Sequence, residues 1–581
     1  MNEKRQSRQP RWVKTGTRPE QGQGRPTERK GRPGTRPETG TRGATGGQRD
    51  GVRKETSRQD PGARRESGST GRGRSEGEGA NRRFDRAERG VRADRTERTD
   101  RAERTERADR RERPVRSERP ERVGRVARPD RQDFGARRES GSRPDSRRRF
   151  EVAEAAPRGG RVGIRLEQLR QVLDLVLNWQ QPADVALSRW FKENARLGSR
   201  DRGELAEGLY DTLRHLRRYR QMATSGHGTA TRRLAILGLS ATLGSEALEE
   251  ALDMDERAWL EHVGRIDPQS QSRAVRHSLP DWLDEKIGAL VEPEALAQAL
   301  NQPAPLDLRV NPLKAERDAM MTVLQAQLGE LSDKLTATPY SPWGMRLDMH
   351  LPLNRWSQFT DGQIEVQDEG SQLLALMVGP KRQETVVDFC AGAGGKTLLL
   401  GALMRSTGRL YAMDVSAARL ANAKPRLARS GLSNVIPIAL SSENDTRVKR
   451  LSGKAHRVLV DAPCSGTGTL RRNPDLKWRQ TPESLAALVE IQARILNSAA
   501  RCVAPGGRLV YATCSILPDE NEAQIEAFLA QHPDFELLDA REMLGDRVPA
   551  LVLDGPYLSL RPDVHGTDGF FAAALQRKAA G

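Results

Sequence analysis

Apolar residues recur at helical spacing from Val162 onward. Leu166, Leu169, Val172, Leu173, Val176 and Leu177 fall on one face of a helix, with Trp179 just beyond. Ala186, Leu187, Trp190 and Phe191 predict a second helix. Leu197-Gly198 reads as a stop, and Ser199-Arg-Asp-Arg opens a third helix carrying Leu205, Leu209, Leu213 and Leu216. Helical patterning continues to about residue 300. The run Arg214-His-Leu-Arg-Arg-Tyr-Arg220 reads as an exposed basic stripe, ordinarily a solvated face and otherwise one that meets nucleic acid.

The period then changes. Leu306-Asp-Leu-Arg-Val310 predicts a strand ending at Asn311-Pro312, with a helix near Ala315–Leu331 and turn-rich, strand-like sequence after it. From Thr385 short apolar runs alternate with helical stretches. Strands are expected at 385–390, 410–414, 435–440, 457–461 and 508–513, with helices at 398–404, 416–430 and 482–503. Repeated strand–helix units with buried strands imply a parallel, doubly wound α/β sheet.

Before Val162 there is no such pattern, and composition explains why. The chain of 581 residues has a net charge of +18, but residues 1–150 alone hold 45 Lys+Arg against 25 Asp+Glu. The rest holds 52 against 54, so a basic tail is joined to a nearly neutral body. The tail offers too little apolar surface to offset its chain entropy and is expected to be disordered. Its loose repeat, as in Arg101-Ala-Glu-Arg and Arg104-Thr-Glu-Arg, has no apolar face on which to stack. It reads as an arm that binds polyanions through counterion release, with a solubilising extension of no specific role as the alternative. No apolar run is long enough to cross a membrane, and MNEKRQSRQP has no signal-peptide core. Cys390, Cys464, Cys502 and Cys514 form no C-x-x-C pair. Neither a disulfide scaffold nor a metal site is expected, and a reducing cytoplasm is.

Candidate chemistry gathers at predicted strand ends. Ala391-Gly-Ala-Gly-Gly-Lys-Thr397 is a Gly-rich turn after the first strand. It departs from the G-x-x-x-x-G-K-[ST] phosphate loop, because Cys390 stands where the first glycine belongs. Glycines at such a turn let a nucleoside-like cofactor approach the backbone, and Asp414 at the next strand end is placed to accept ribose hydroxyls. Asp461-Ala-Pro-Cys-Ser-Gly466 and Ala512-Thr-Cys-Ser515 follow two further strands, so Cys464 and Cys514 are expected to face one cleft at the carboxyl edge.

Four segments carry a family resemblance: Asp388-Phe-Cys-Ala-Gly-Ala-Gly-Gly-Lys-Thr397, Asp461-Ala-Pro-Cys-Ser-Gly-Thr-Gly468, Arg471-Arg-Asn-Pro-Asp-Leu-Lys-Trp478 and Tyr511-Ala-Thr-Cys-Ser515. Together they resemble the RNA 5-methylcytosine methyltransferases of the RsmB/Nop/Sun family over about residues 300–577. The helical part resembles the NusB-like domain of the bacterial 16S rRNA members, and residues 303–380 the RRM-like segment that precedes the catalytic domain. The family's turn is C-A-A-P-G-G-K, and Gly392 and Ala393 replace its second Ala and its Pro here.

Composition sets the disordered tail at 1–160, and the resemblance implies a helical domain over 161–300, an α+β module over 301–380 and a Rossmann-like methyltransferase domain over 381–581. It implies S-adenosylmethionine as cofactor, held by Cys390, Ala391, Gly392, Ala393, Gly394, Gly395, Lys396, Asp414 and Asp461. Asp445, with Glu443 as the alternative, is the expected acidic contact after the third strand. It implies that Cys514 is the nucleophile adding to cytosine C6, that Cys464 assists product release, and that Lys396 fixes Asp461 against the base or cofactor. RNA is the expected partner, rRNA before tRNA, with no membrane and no metal, and the chain is expected to act as a monomer. An exocyclic-amine methyltransferase, the alternative enzyme, is associated with an N/D-P-P-Y/F loop rather than Asp-Ala-Pro-Cys. A catalytically dead RNA-binding factor has no use for the cysteine pair.

Deleting residues 1–150 should leave cofactor affinity intact, weaken RNA binding and flatten its dependence on salt, because fewer counterions are released. RNA titrations at several salt concentrations, with and without the tail, check this; identical slopes would leave the tail without an arm's role.

Overall fold

A computed structural model describes residues 158–349 and 351–579. These lie in the second of two units, Ser140–Gly581. The expected disordered tail lies outside the described residues except for residues 158–160, where Gly160 opens the first helix.

The helical periodicity is realised by helices Gly160–Val176, Ala183–Glu193 and Ser199–Arg214, followed by Leu216–Met222, Ala230–Leu243 and Met254–Gly264. Leu169, Leu173, Leu205, Leu209, Leu213, Ile236 and Leu239 are fully buried and form one core. Helices Ser199–Arg214 and Ala230–Leu243 cross closely because two glycines meet. A Cβ on Gly238 would lie 2.7 Å from the Gly208 carbonyl oxygen and 2.1 Å from Thr212 Oγ1. The later helices Asp281–Gly288 and Pro293–Leu300 belong to another cluster. Leu283, Ile287, Leu296 and Leu300 pack with Leu470, Leu485 and Leu517.

Strands β1 (Leu306–Val310), β2 (Leu335–Ala337), β3 (Gly344–Leu347) and β4 (Ile364–Val366) form an antiparallel sheet in the order β2-β3-β1-β4. Met320 and Leu324 of helix Arg317–Leu328 cluster with Leu308, Val310 and Met345 of that sheet.

The large sheet follows. Its strands are β5 (Thr385–Asp388), β6 (Arg409–Asp414), β7 (Val435–Ala439), β8 (Ala455–Asp461), β9 (Val503–Thr513), β10 (Phe535–Leu538), β11 (Leu558–Leu560) and β12 (Phe570–Arg577). The order is β10-β12-β9-β8-β5-β6-β7, with β11 paired to β12. The expected strands form the parallel, doubly wound part of this sheet, and three strands beyond them add an antiparallel edge. β5 to β9 are parallel, whereas β10, β11 and β12 join through antiparallel pairings. The reason lies at the entry to β12. Gly569 N–H donates to the Gly468 carbonyl at 2.8 Å, so the chain starts β12 at the edge where β8 and β9 end and must run back along β9. The helix expected over 482–503 ends at Ala500, because Val503 already starts β9.

The basic stripe at Arg214–Arg220 is also corrected: most of it is a seam, not an exposed face. Arg214 is buried and its guanidinium donates to the Arg471 carbonyl at 2.9 Å, while Arg217 donates to Asp281 at 2.7 Å. Across the seam, Lys477 is buried and donates to the carbonyls of Arg214 (2.7 Å) and His277 (3.3 Å) and to Asn301 Oδ1 (3.0 Å). Burial pushes the Lys477 amine well below its usual range, and Arg214 adds to this. Trp478 packs on the helical core and donates its indole N–H to the Leu213 carbonyl at 2.8 Å.

Trp478→Ala should cost roughly 2–3 kcal/mol, below the range for a fully buried aromatic because the ring is only part-buried. Calorimetry should show the helices of residues 160–264 melting ahead of the large sheet; a single unshifted transition would contradict this.

Candidate active site

Parallel pairing of β8 with β9 fixes the first element of the site. Val460 lies opposite Tyr511 and Asp461 opposite Ala512, so both strands end at the same level. The pairing continues past the strands: Ala462 N–H donates to the Ala512 carbonyl (2.8 Å) and Gly468 N–H to the Cys514 carbonyl (2.9 Å). The two cysteine loops are therefore stitched together, and Cys464 Sγ stands 3.3 Å from Cys514 Sγ. The hydrogen bond with Cys514, and then burial, push the Cys464 thiol well above its usual pKa. Cys464 thus keeps its proton while facing Cys514. Cys390 is likewise pushed up, by burial first and then by Asp461. Cys502 is buried in the core beneath β9.

Beneath the loops a polar network holds the backbone. Glu520 is fully buried and accepts from Ser465 N–H (2.8 Å), Ser465 Oγ (2.5 Å) and Gln492 Nε2 (2.9 Å). Gln492 also donates to the Pro463 carbonyl at 3.0 Å, so both neighbours of Cys464 are anchored. The hydroxyls of Thr467 and Ser515 meet at 3.0 Å, tying one cysteine loop to the other. Sequence reasoning missed Glu520 and Gln492. Glu520 sits in the loop Pro518-Asp-Glu-Asn521, and no spacing rule connects it with Ser465, 55 residues earlier.

Helix Gly395–Leu403 supplies the next group. Lys396 Nζ donates to Asp461 Oδ2 at 2.8 Å, the pair expected from sequence. Burial works to lower the Lys396 ammonium, but Asp461 outweighs it, with Cys514 adding to the rise, so the group stays charged. The ammonium also lies 5.6 Å from the centre of the Phe570 ring. Phe570 is a third missed residue, since it lies beyond the last expected strand at 508–513 and no motif marks it. Asp388, at the end of β5, accepts from Thr397 Oγ1 at 2.6 Å, and burial raises it to about 7.

The Gly-rich turn joins β5 to this helix. Ala391 N–H donates to the Met413 carbonyl (2.8 Å), and Gly392 N–H to Asp414 Oδ2 (2.8 Å). Gly392 (φ 55°) and Gly394 (φ 81°) are left-handed, where a side chain is strained, and a Cβ on Gly392 would also come within 2.8 Å of Arg419. A Cβ on Gly395 would meet only Arg426, at 4.0 Å, so the turn leaves open space there. Asp414 is buried, and its other oxygen accepts from Ser416 N–H at 2.7 Å.

The two candidates after β7 differ. Asp445 caps the short helix Thr446–Lys449. Its oxygens accept from Ser441 N–H and Oγ and from the backbone and guanidinium of Arg447, which holds the carboxyl well below the usual range. Glu443 is buried and has one carboxylate oxygen, Oε2, without a partner. Thus Cys464, Cys514, Lys396 and Asp461 converge, and Cys390–Gly395 and Asp414 form a contiguous patch beside them. Asp445 is spent on its own cap. Among the described residues no group of His, Cys, Asp and Glu could hold a metal ion, and no helix is long and apolar enough to cross a membrane.

Comparison with known proteins addresses the same segments. Residues 375–576 match the 16S rRNA methyltransferase RsmB/F family, and residues 279–354 match its RsmF/B-like ferredoxin-like domain. The probable ribosomal RNA small subunit methyltransferase B of Synechocystis is 37% identical over 337 residues, 57% of this chain and 74% of that protein. The ribosomal RNA small subunit methyltransferase B of Sodalis glossinidius is 37% identical over 311 residues, 53% of this chain and 67% of that protein. Among solved structures, that of PH0851 superposes with a TM-score of 0.55 at 25% identity, covering 71% of this chain and 97% of the other. With the strand ends, the cysteine loops and three of the four strands of the ferredoxin-like sheet inside the matched segments, the chain belongs to the RsmB/F family of 16S rRNA methyltransferases.

Proposed function

We propose that this protein methylates C5 of a cytosine in small-subunit rRNA through a transient bond between Cys514 and C6 of the base. The observation that carries the reading is the 3.3 Å approach of Cys464 to Cys514 from two neighbouring strand ends. An exocyclic amine attacks with its own lone pair, and its methylation has no use for a thiol pair. C5 of cytosine is a weak nucleophile until a thiolate adds at C6 and pushes electron density onto it.

The family depends on S-adenosylmethionine, which supplies an electrophilic methyl group when bound. The residues fit it. The Gly392–Gly395 turn leaves room against the backbone, Asp414 stands at the next strand end with lone pairs left for ribose hydroxyls, and the unpartnered Glu443 oxygen offers a further acceptor. Glu443 is preferred to Asp445 for that contact, since the Asp445 oxygens are taken by its cap.

Each side chain then has a task. Cys514 forms the bond to C6 and leaves once the C5 proton is lost. The Lys396 ammonium pairs with Asp461 and lies near Cys514. Protonated Cys464 donates a hydrogen bond to the Cys514 sulfur as it departs. Asp461, fixed by Lys396, presents its second oxygen to the base or the cofactor. A cytosine in folded RNA must be unstacked to reach them.

Cys514→Ala should abolish methyl transfer and leave no adduct. Cys464→Ala should retain the first bond-forming step but accumulate protein–RNA adduct, visible as a shifted band on a denaturing gel. Full turnover without adduct in Cys464→Ala would refute this division of roles. Asp414→Ala should weaken S-adenosylmethionine binding by roughly 1–3 kcal/mol, since a charged acceptor is lost. Calorimetric titration reads this directly, and an unchanged affinity would move the ribose contact elsewhere.

A further inference from the structure

A cavity of about 180 Å³ lies at the seam between the helical core and the segment leading to the ferredoxin-like sheet, remote in sequence from the cysteine loops. His215, Arg218, Arg276, His277, Glu294 and Gln298 line it, with further side-chain amides between them. Two features mark it as incomplete. The Nε–H groups of both Arg218 and Arg276 are buried without a hydrogen-bond acceptor. Arg214, Arg233, Arg309 and Arg508 leave the same atom unpaired, so the orphan donors alone do not mark a site; what sets the cavity apart is that two such guanidiniums and two imidazoles line it against a single carboxylate. The Arg218 guanidinium, moreover, lies 5.6 Å from the centre of the Tyr219 ring and has no carboxylate at ion-pair distance among the described residues. Arg276 is different, pairing with Glu294 at 2.7 Å, and His277 meets the same oxygen at 2.7 Å. Glu294 is half-exposed at the rim and is the lone carboxylate among the lining residues.

We infer that this cavity holds a backbone phosphate of the substrate RNA, gripped by Arg218 and Arg276. A guanidinium matches a phosphate with two parallel N–H bonds, and the surrounding amides suit ribose hydroxyls on either side of it. The wall of the cavity is tied to the methyltransferase domain, because His277 and Asn301 both accept from the buried Lys477. A phosphate held here is held in fixed register with the domain that carries the cysteines. The helical domain then contributes to choosing the target by distance, without reading bases. The inference rests on RNA being the substrate.

The test uses the full chain and transcribed small-subunit rRNA, with affinity measured at several salt concentrations. Arg218→Gln and Gln298→Glu should each weaken binding by roughly threefold to tenfold and lower the log–log salt slope by about 0.7–0.9, the value of one phosphate contact. S-adenosylmethionine affinity should be unchanged in both. Gln298→Glu removes no existing contact and places a negative charge at the rim, so it decides the matter if Arg218→Gln misfolds. Unaltered affinity and slope in a folded variant overturn the inference. So does a melting point that millimolar inorganic phosphate raises in the wild type but not in Arg218→Gln, with RNA affinities equal, since the site would then serve a small anion. Displacement by poly-glutamate but not by RNA would assign it to an acidic protein and equally overturn it. Failure of the wild type itself to bind or methylate the RNA would instead sink the proposed function.

Discussion

The parallel pairing of β8 with β9 is the constraint on which the site depends. Hydrogen bonds from Ala462 to Ala512 and from Gly468 to Cys514 extend the ladder beyond the strands into the loops. Two sulfurs 50 residues apart in sequence are thereby brought to 3.3 Å. A shift of one residue in that register would turn every side chain of β9 to the opposite face and part them. Buried Glu520 and the hydroxyls of Ser465, Thr467 and Ser515 lock the arrangement from below. They form a satisfied polar network, the kind that specifies a unique local structure.

The segment 471–478 does a different kind of work. Arg471 donates to the carbonyls of Gly566 and Thr567, and Arg472 pairs with Asp368 and Asp568, so two arginines bind the ferredoxin-like module and the start of β12 to the large sheet. A few residues later Lys477 and Trp478 reach the opposite way, into the helical domain. One short loop thus sets the relative placement of three structural layers. Its buried charges make the junction unforgiving: removing one partner leaves another without compensation in a low-dielectric setting.

Charge is handled in two ways in this molecule. At the cofactor edge, ionised groups are paired so that they stay ionised, with Lys396 held by Asp461. Elsewhere burial wins. Lys477 is surrounded by neutral acceptors and is pushed toward the amine, and Asp388 is pushed up to about 7. The Arg218 cavity belongs to neither case, since its guanidinium is neither matched by a carboxylate nor free in water.

Much of this was legible in the chain itself. Periodicity located the helices from Gly160 and the strands β1, β5, β6, β7 and β8 within a few residues, because each buries its apolar face locally and repeats at its own period. Four short motifs indicated the Lys396–Asp461 pair and the facing cysteines, since strand ends in an α/β sheet converge at one edge. What the sequence left open depended on contacts between distant segments. The antiparallel course of β12 follows from Gly569 meeting Gly468, and the burial of Arg214 from its carbonyl partner at Arg471. The choice between Glu443 and Asp445 turns on which oxygens are already occupied. Local patterning determines which residues form an element and which face is apolar. Only the packed structure decides which buried polar groups find partners, because those partners lie tens to hundreds of residues away.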